Sequence, residues 1–101
     1  MVQGTTTHIG FKMADTELLD LIETARISVK VLNTCIEKAG DDVVIDKEAG
    51  TISANFTQEE TYKLSSSNGY AQLAIKLEDG TVMKTKKKPI EVEESISKEV
   101  M

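Results

Sequence analysis

Gly50-Thr51-Ile52-Ser53-Ala54-Asn55-Phe56-Thr57-Gln58-Glu59-Glu60, with Tyr70-Ala71-Gln72-Leu73-Ala74-Ile75-Lys76-Leu77-Glu78-Asp79-Gly80-Thr81-Val82 shortly after it, decides the fold class. Thr51 to Phe56 alternates polar and apolar residues, which predicts a strand burying Ile52, Ala54 and Phe56. Thr57 and Glu60 have the spacing of a capping box, in which each side chain satisfies the other's backbone amide. One or two helical turns through Leu64 are expected. Ser65 to Gly69 reads as a loop by composition. Ala71, Leu73, Ile75 and Leu77 then form the most regular inward face in the chain. Asp79-Gly80 is a tight hairpin signal, so Thr81 to Lys86 is expected to pair back on Tyr70 to Glu78.

The rest of the chain extends this pattern. Thr7 to Met13 places Ile9, Phe11 and Met13 on one side of a first strand, with Gly4 as a flexible entry. Asp15 to Ile22 has bunched apolar residues and a candidate Asp15 N-cap, giving irregular helical turns or a folded loop at the sandwich edge. Ala25 to Leu32 reads as a strand with Ile27, Val29 and Val31 inward. Asn33-Thr34 turns it, and Cys35 to Lys38 returns antiparallel. Val43 to Ile45 is a short strand between polar turns. Pro89 marks a bend or edge, Ile90, Val92 and Ile96 supply a last strand, and Ser97 to Met101 frays. About seven short antiparallel strands predict an all-β chain, a single immunoglobulin-like β-sandwich domain over residues 1–101 with one or two short helical turns.

Composition bounds the function. With 101 residues, two Phe, two Tyr and no Trp, the core must be filled by Ile, Val and Leu, which suits sheet. A net charge of -5 argues against a general nucleic-acid binder. Lys84-Thr85-Lys86-Lys87-Lys88 departs from that balance and reads as a lysine-protected edge strand or turn rather than a phosphate site. Cys35 stands alone, so no intrachain disulfide forms, and a reducing cytoplasm at the time of folding is expected. No signal-peptide pattern or membrane-length apolar run is present.

Candidate chemistry is sparse. His8, the single histidine, has no nucleophile or carboxylate at recognisable spacing and is expected to face solvent opposite Ile9. Neighbouring acids such as Asp41-Asp42, Glu59-Glu60 and Glu93-Glu94 fall on turns or on opposite faces of strands, unsuited to a working acid/base pair. Asp41, Asp42, Asp46 and Glu48 are rich in oxygen but lack the spacing of a calcium loop. No catalytic, metal or cofactor motif is therefore assigned, and an enzyme is not expected. The candidate interaction residues are Lys84, Lys86, Lys87 and Lys88, with Tyr62 and Tyr70. The two tyrosines would also serve an alternative reading, a small ligand-binding, carbohydrate-directed sandwich module.

Gly4-Thr5-Thr6 before the first strand, Thr57-Gln58-Glu59-Glu60-Thr61 followed by Leu64, the Asp79-Gly80 hairpin within Ala71 to Val82, and the closing Ile90-Glu91-Val92 together resemble a group of small phage and prophage proteins of Gram-positive bacteria. Thr7 stands where that group commonly has proline. Such proteins look like the N-terminal sandwich domain of phage upper-baseplate proteins. The resemblance implies a structural or assembly role in the virion, with tail or baseplate proteins or further copies of the chain as partners. Neither a nucleic-acid nor a membrane partner is expected from the net charge and the lack of a membrane-length apolar run; synthesis in the host cytoplasm is expected, and the resemblance implies a place in the virion afterwards.

Overall fold

The computed structural model describes residues 1–13, 16–85 and 87–93. Its strands are β1 (Thr7–Lys12), β2 (Ile22–Val31), β3 (Thr34–Ala39), β4 (Val43–Asp46), β5 (Thr51–Phe56), β6 (Asn68–Leu77), β7 (Val82–Lys84) and β8 (Lys88–Glu91), with one short helix, α1 (Gln58–Tyr62). They form two antiparallel sheets. One has three strands in the order β1-β5-β4, and the other has five in the order β3-β2-β6-β7 with β8 also on β6. The chain changes sheet between β1 and β2, β3 and β4, and β5 and β6.

The alternation expected from the sequence is present on both sheets. Ile9, Phe11, Val43, Ile52, Ala54 and Phe56 from the smaller sheet join Ala25, Ile27, Val29, Val31, Ala71, Leu73, Ile75 and Leu77 from the larger in a single buried cluster. This is a sandwich-like all-β arrangement whose two inner faces share one core. The crossings between sheets are closed by apolar caps. Thr16–Leu21 forms a 3-10 helix that buries Leu19, and Leu64, just beyond α1, is also buried. The Asp15 cap lies outside the described residues, as do Lys86, Ile96 and the Ser97 to Met101 tail.

The capping box at α1 forms as expected. The Glu60 N–H donates to Thr57 Oγ1 (3.2 Å), and the Thr57 N–H donates to Glu60 Oε1 (2.9 Å). The helix itself ends at Tyr62, short of Leu64. Asp79-Gly80 turns the hairpin, with Gly80 at φ +91° and Asp79 Oδ1 accepting from the Thr81 N–H at 2.8 Å.

Several boundaries differ from the sequence reading. β2 starts at Ile22 rather than Ala25, because Ile22 pairs with Leu77 across a bulge before Thr24. The turn after β2 is Leu32-Asn33, with Leu32 at φ +52°, and Thr34 already pairs with Val31. β6 begins inside the expected loop, at Asn68, because Asn68 and Gly69 pair with Glu91 and Ile90. The return strand after the hairpin is interrupted. Lys84 lies opposite Ala74, whereas Lys88 lies opposite Ala71, so the edge chain has one residue more than β6 over the same interval, a bulge.

Thr85 holds this break together. Its N–H donates to the Leu73 carbonyl (2.9 Å), and its Oγ1 accepts from the Leu73 N–H (3.1 Å) in place of a ladder carbonyl. Its own carbonyl accepts from Gln72 Nε2 (2.9 Å). A Thr85→Val substitution keeps the shape of the side chain but leaves the Leu73 amide without its acceptor. It is expected to cost about 1–3 kcal/mol in urea unfolding and to accelerate hydrogen exchange at Leu73, whereas Thr85→Ser should retain most of the stability.

Candidate functional site

The lysine-rich edge contains side chains with three different roles. Lys84 is exposed on β7 opposite Ala74, on the outer face of the larger sheet. Lys87 places its ammonium 5.6 Å from the centre of the Tyr70 ring, within cation–π range. Lys88 turns the other way. Its Nζ donates to the Gly10 carbonyl of β1 at 3.3 Å and stands 5.7 Å from the centre of the Phe11 ring, so it bridges the open edge between the two sheets. Around it a hollow of about 330 Å³ opens between β1 and β8, lined in part by Met1, His8 and Pro89. Lys86 lies outside the described residues.

The two tyrosines serve different neighbours. Tyr62, at the end of α1, packs its ring against Gly4, where φ is +73° and a side chain would collide with that ring. Tyr70 is 52% exposed on the outer face of β6, between Lys30 of β2 and Pro89 of β8. Tyr62 is thus a packing residue of the N-terminal arm, and Tyr70 is the exposed aromatic of the sheet face.

One lysine missed in the sequence matters more to the fold than most of those singled out. Lys38 sits on β3 opposite the buried Ile27, with its side chain only 15% exposed. Its Nζ is 2.7 Å from Glu60 Oε1 and 5.7 Å from the centre of the Phe56 ring, joining the edge of the larger sheet to the capping box. The signal available in the sequence was parity, since Lys38 follows Ile36 on the inward side of a strand. Burial opposes ionisation of Glu60. Hydrogen bonds from Lys38 and Thr57, with the Lys38 charge, outweigh it and hold the carboxyl below the usual glutamate range.

Two of the remaining polar candidates, His8 and Asp46, are engaged in local structure. His8 Nδ1 is hydrogen-bonded to Asn55 Oδ1 (2.8 Å) across the β1–β5 pair, on the exposed face as expected. Asp46 Oδ1 accepts from the Glu48 and Ala49 amides (both 3.1 Å), which ties it to its turn. Among the described residues, no group of three or more His, Cys, Asp or Glu side chains is placed to share a metal ion, and no helix is long and apolar enough to cross a membrane. No family model matches the chain, and no curated protein matches it.

Two predictions follow from the lysine geometry. Because the Glu60 carboxyl titrates lower in the folded chain than in the unfolded one, its contribution is fully present above roughly pH 4.3, the ordinary glutamate value, and is lost as pH falls through the depressed folded value. Urea midpoints measured from pH 7 down to about pH 3 should show an acid loss that is smaller in Glu60→Gln. Lys88→Ala removes the bridge to Gly10 and Phe11 and should lower stability by about 0.5–1 kcal/mol, whereas Lys84→Ala should change it by less than about 0.5 kcal/mol.

Proposed function

We propose that this chain is a non-enzymatic structural or assembly protein of a phage or prophage, associated with the tail or baseplate and acting through protein–protein contacts, and that its sandwich is immunoglobulin-like in topology. The order β1-β5-β4 facing β3-β2-β6-β7 supports the topology, since it corresponds to B-E-D facing C′-C-F-G of that fold when β1 takes the place of B. The isolated parallel bridge between Val2 and Glu93 is consistent with it, resembling a leading arm laid beside the last strand.

The observation that carries the functional reading is the run of motifs Gly4-Thr5-Thr6, Thr57 to Thr61 with Leu64, and Asp79-Gly80, which resembles the phage group at the points where this fold depends on local chemistry. Thr61 Oγ1 donates to the Thr5 carbonyl (2.9 Å), so the first two motifs are joined in space. An arm held this way, beside an edge interrupted by a bulge, offers surfaces for neighbours in an assembly. The carbohydrate-directed alternative would need open aromatic platforms. Tyr62 is packed on Gly4, and one face of Tyr70 is occupied by Lys87, which favours the protein-contact reading.

Mass spectrometry of particles induced from the source strain and purified away from lysate tests the proposal. The chain is expected to be enriched in particles with tail or baseplate components. Its absence from particles whose production is confirmed by their other proteins would overturn the virion role.

A further inference from the structure

The outer face of the larger sheet carries positive charge that the overall composition conceals. The ladder sets Arg26 beside Ala74 and Ala74 beside Lys84. One step along it sets Thr24 beside Lys76 and Lys76 beside Val82. Residues directly opposite in an antiparallel pair share a face, so Arg26, Lys76 and Lys84 surround the small side chain of Ala74. With Thr24, Ala39 and Val82 they line a hollow of about 330 Å³. Farther along the same face, Lys30 lies opposite Tyr70, and Lys87 covers the Tyr70 ring. The carboxylates that the regular ladder sets on this face are Glu37, opposite Ser28, and Glu91, opposite Asn68 at its far end. Glu37 lies 3.9 Å from Arg26 Nε with both side chains more than half exposed, a pairing too weak to occupy the guanidinium.

From this placement of charge we infer that the outer face of the larger sheet docks an acidic protein surface, with a partner carboxylate entering the hollow between Arg26, Lys76 and Lys84. The inference rests on the protein-contact reading above and names the chemistry of the partner. A chain with 17 acidic and 12 basic residues presents a cationic face, and charge complementarity orients and selects such a partner. Strands about 4.8 Å apart place Arg26 and Lys84 roughly 10 Å apart across Ala74, an opening that long side chains can close around a single carboxylate. A nucleic acid is less well matched. Its binding sites combine a basic track with open aromatic faces, whereas the Tyr70 ring is already covered on one side and the remaining surface of a chain of net charge -5 repels a long polyanion.

The test is backbone-amide NMR of the intact protein titrated with a synthetic peptide of alternating Asp and Glu. A single-stranded oligonucleotide is titrated in parallel, and the protein alone is examined by sedimentation. The peptide should shift amides around Arg26, Ala74, Lys76 and Lys84, with an affinity that falls roughly tenfold or more between low and high salt. Lys84→Glu and Lys76→Glu should each weaken binding at least about threefold while leaving the rest of the spectrum folded. Shifts confined to another face, no shifts, or unchanged affinity in both variants would overturn the inference. Tighter binding of the oligonucleotide at this face would reassign it to nucleic acid. Self-association removed by Lys84→Glu would reassign it to a second copy. None of these readouts uses phage particles. Peptide binding at this face by a chain absent from particles therefore sinks only the virion role, and a chain present in particles that ignores the peptide sinks only the acidic docking face.

Discussion

The antiparallel pairing of β2 with β6 is the constraint on which the rest of the sandwich depends. It brings Ala25, Ile27, Val29 and Val31 alongside Ile75, Leu73, Ala71 and Gly69, and the side chains among these form one side of the core. Val31 can lie against Gly69 only because Gly69 has no side chain, since a Cβ there would collide with the Lys30 carbonyl and with Val31. Once this pair is in register, β3 is fixed on one flank and β7 with β8 on the other. The smaller sheet then has a continuous apolar surface to cover. A slip of one residue would turn that surface to solvent, so burial itself specifies the register.

Two of the links between the sheets are made by a lysine over a phenylalanine. Lys38 reaches from β3 over Phe56 to Glu60, and Lys88 reaches from β8 over Phe11 to the Gly10 carbonyl. In each case the ammonium stands over the ring and finds an oxygen acceptor beside it. The capping box gains a second function in this way. Glu60 terminates the helix start with Thr57 and also ties the sheet edge to the crossing between β5 and β6.

Features set by neighbours in the chain were legible in the sequence. The inward faces of β5 and β6, the Thr57–Glu60 cap and the Asp79-Gly80 turn all depend on residues within a few positions of one another. What the sequence did not disclose depends on partners far along the chain. The early start of β2 requires Leu77, and the start of β6 inside a serine-rich loop requires Glu91 and Ile90. The Leu32-Asn33 turn was concealed for a different reason, because leucine rarely adopts a positive φ and carries no turn signal. The break between β7 and β8 was concealed because a threonine hydroxyl, rather than a backbone carbonyl, receives the Leu73 amide.

The same distinction governs the candidate site. Lys84, Lys87 and Lys88 read as one basic run, yet strand parity and the intervening bulge send Lys88 to the sandwich edge, Lys87 onto Tyr70 and Lys84 into the hollow over Ala74. Conversely, Arg26 and Lys76 are far from that run in sequence, and only the sheet brings them beside Lys84. Net charge sums over the whole surface, whereas a docking partner responds to the field of the face it meets. An acidic chain can therefore present a basic face when its strands place lysine and arginine on one side, and in this sheet Arg26, Lys30, Lys76 and Lys84 share that side.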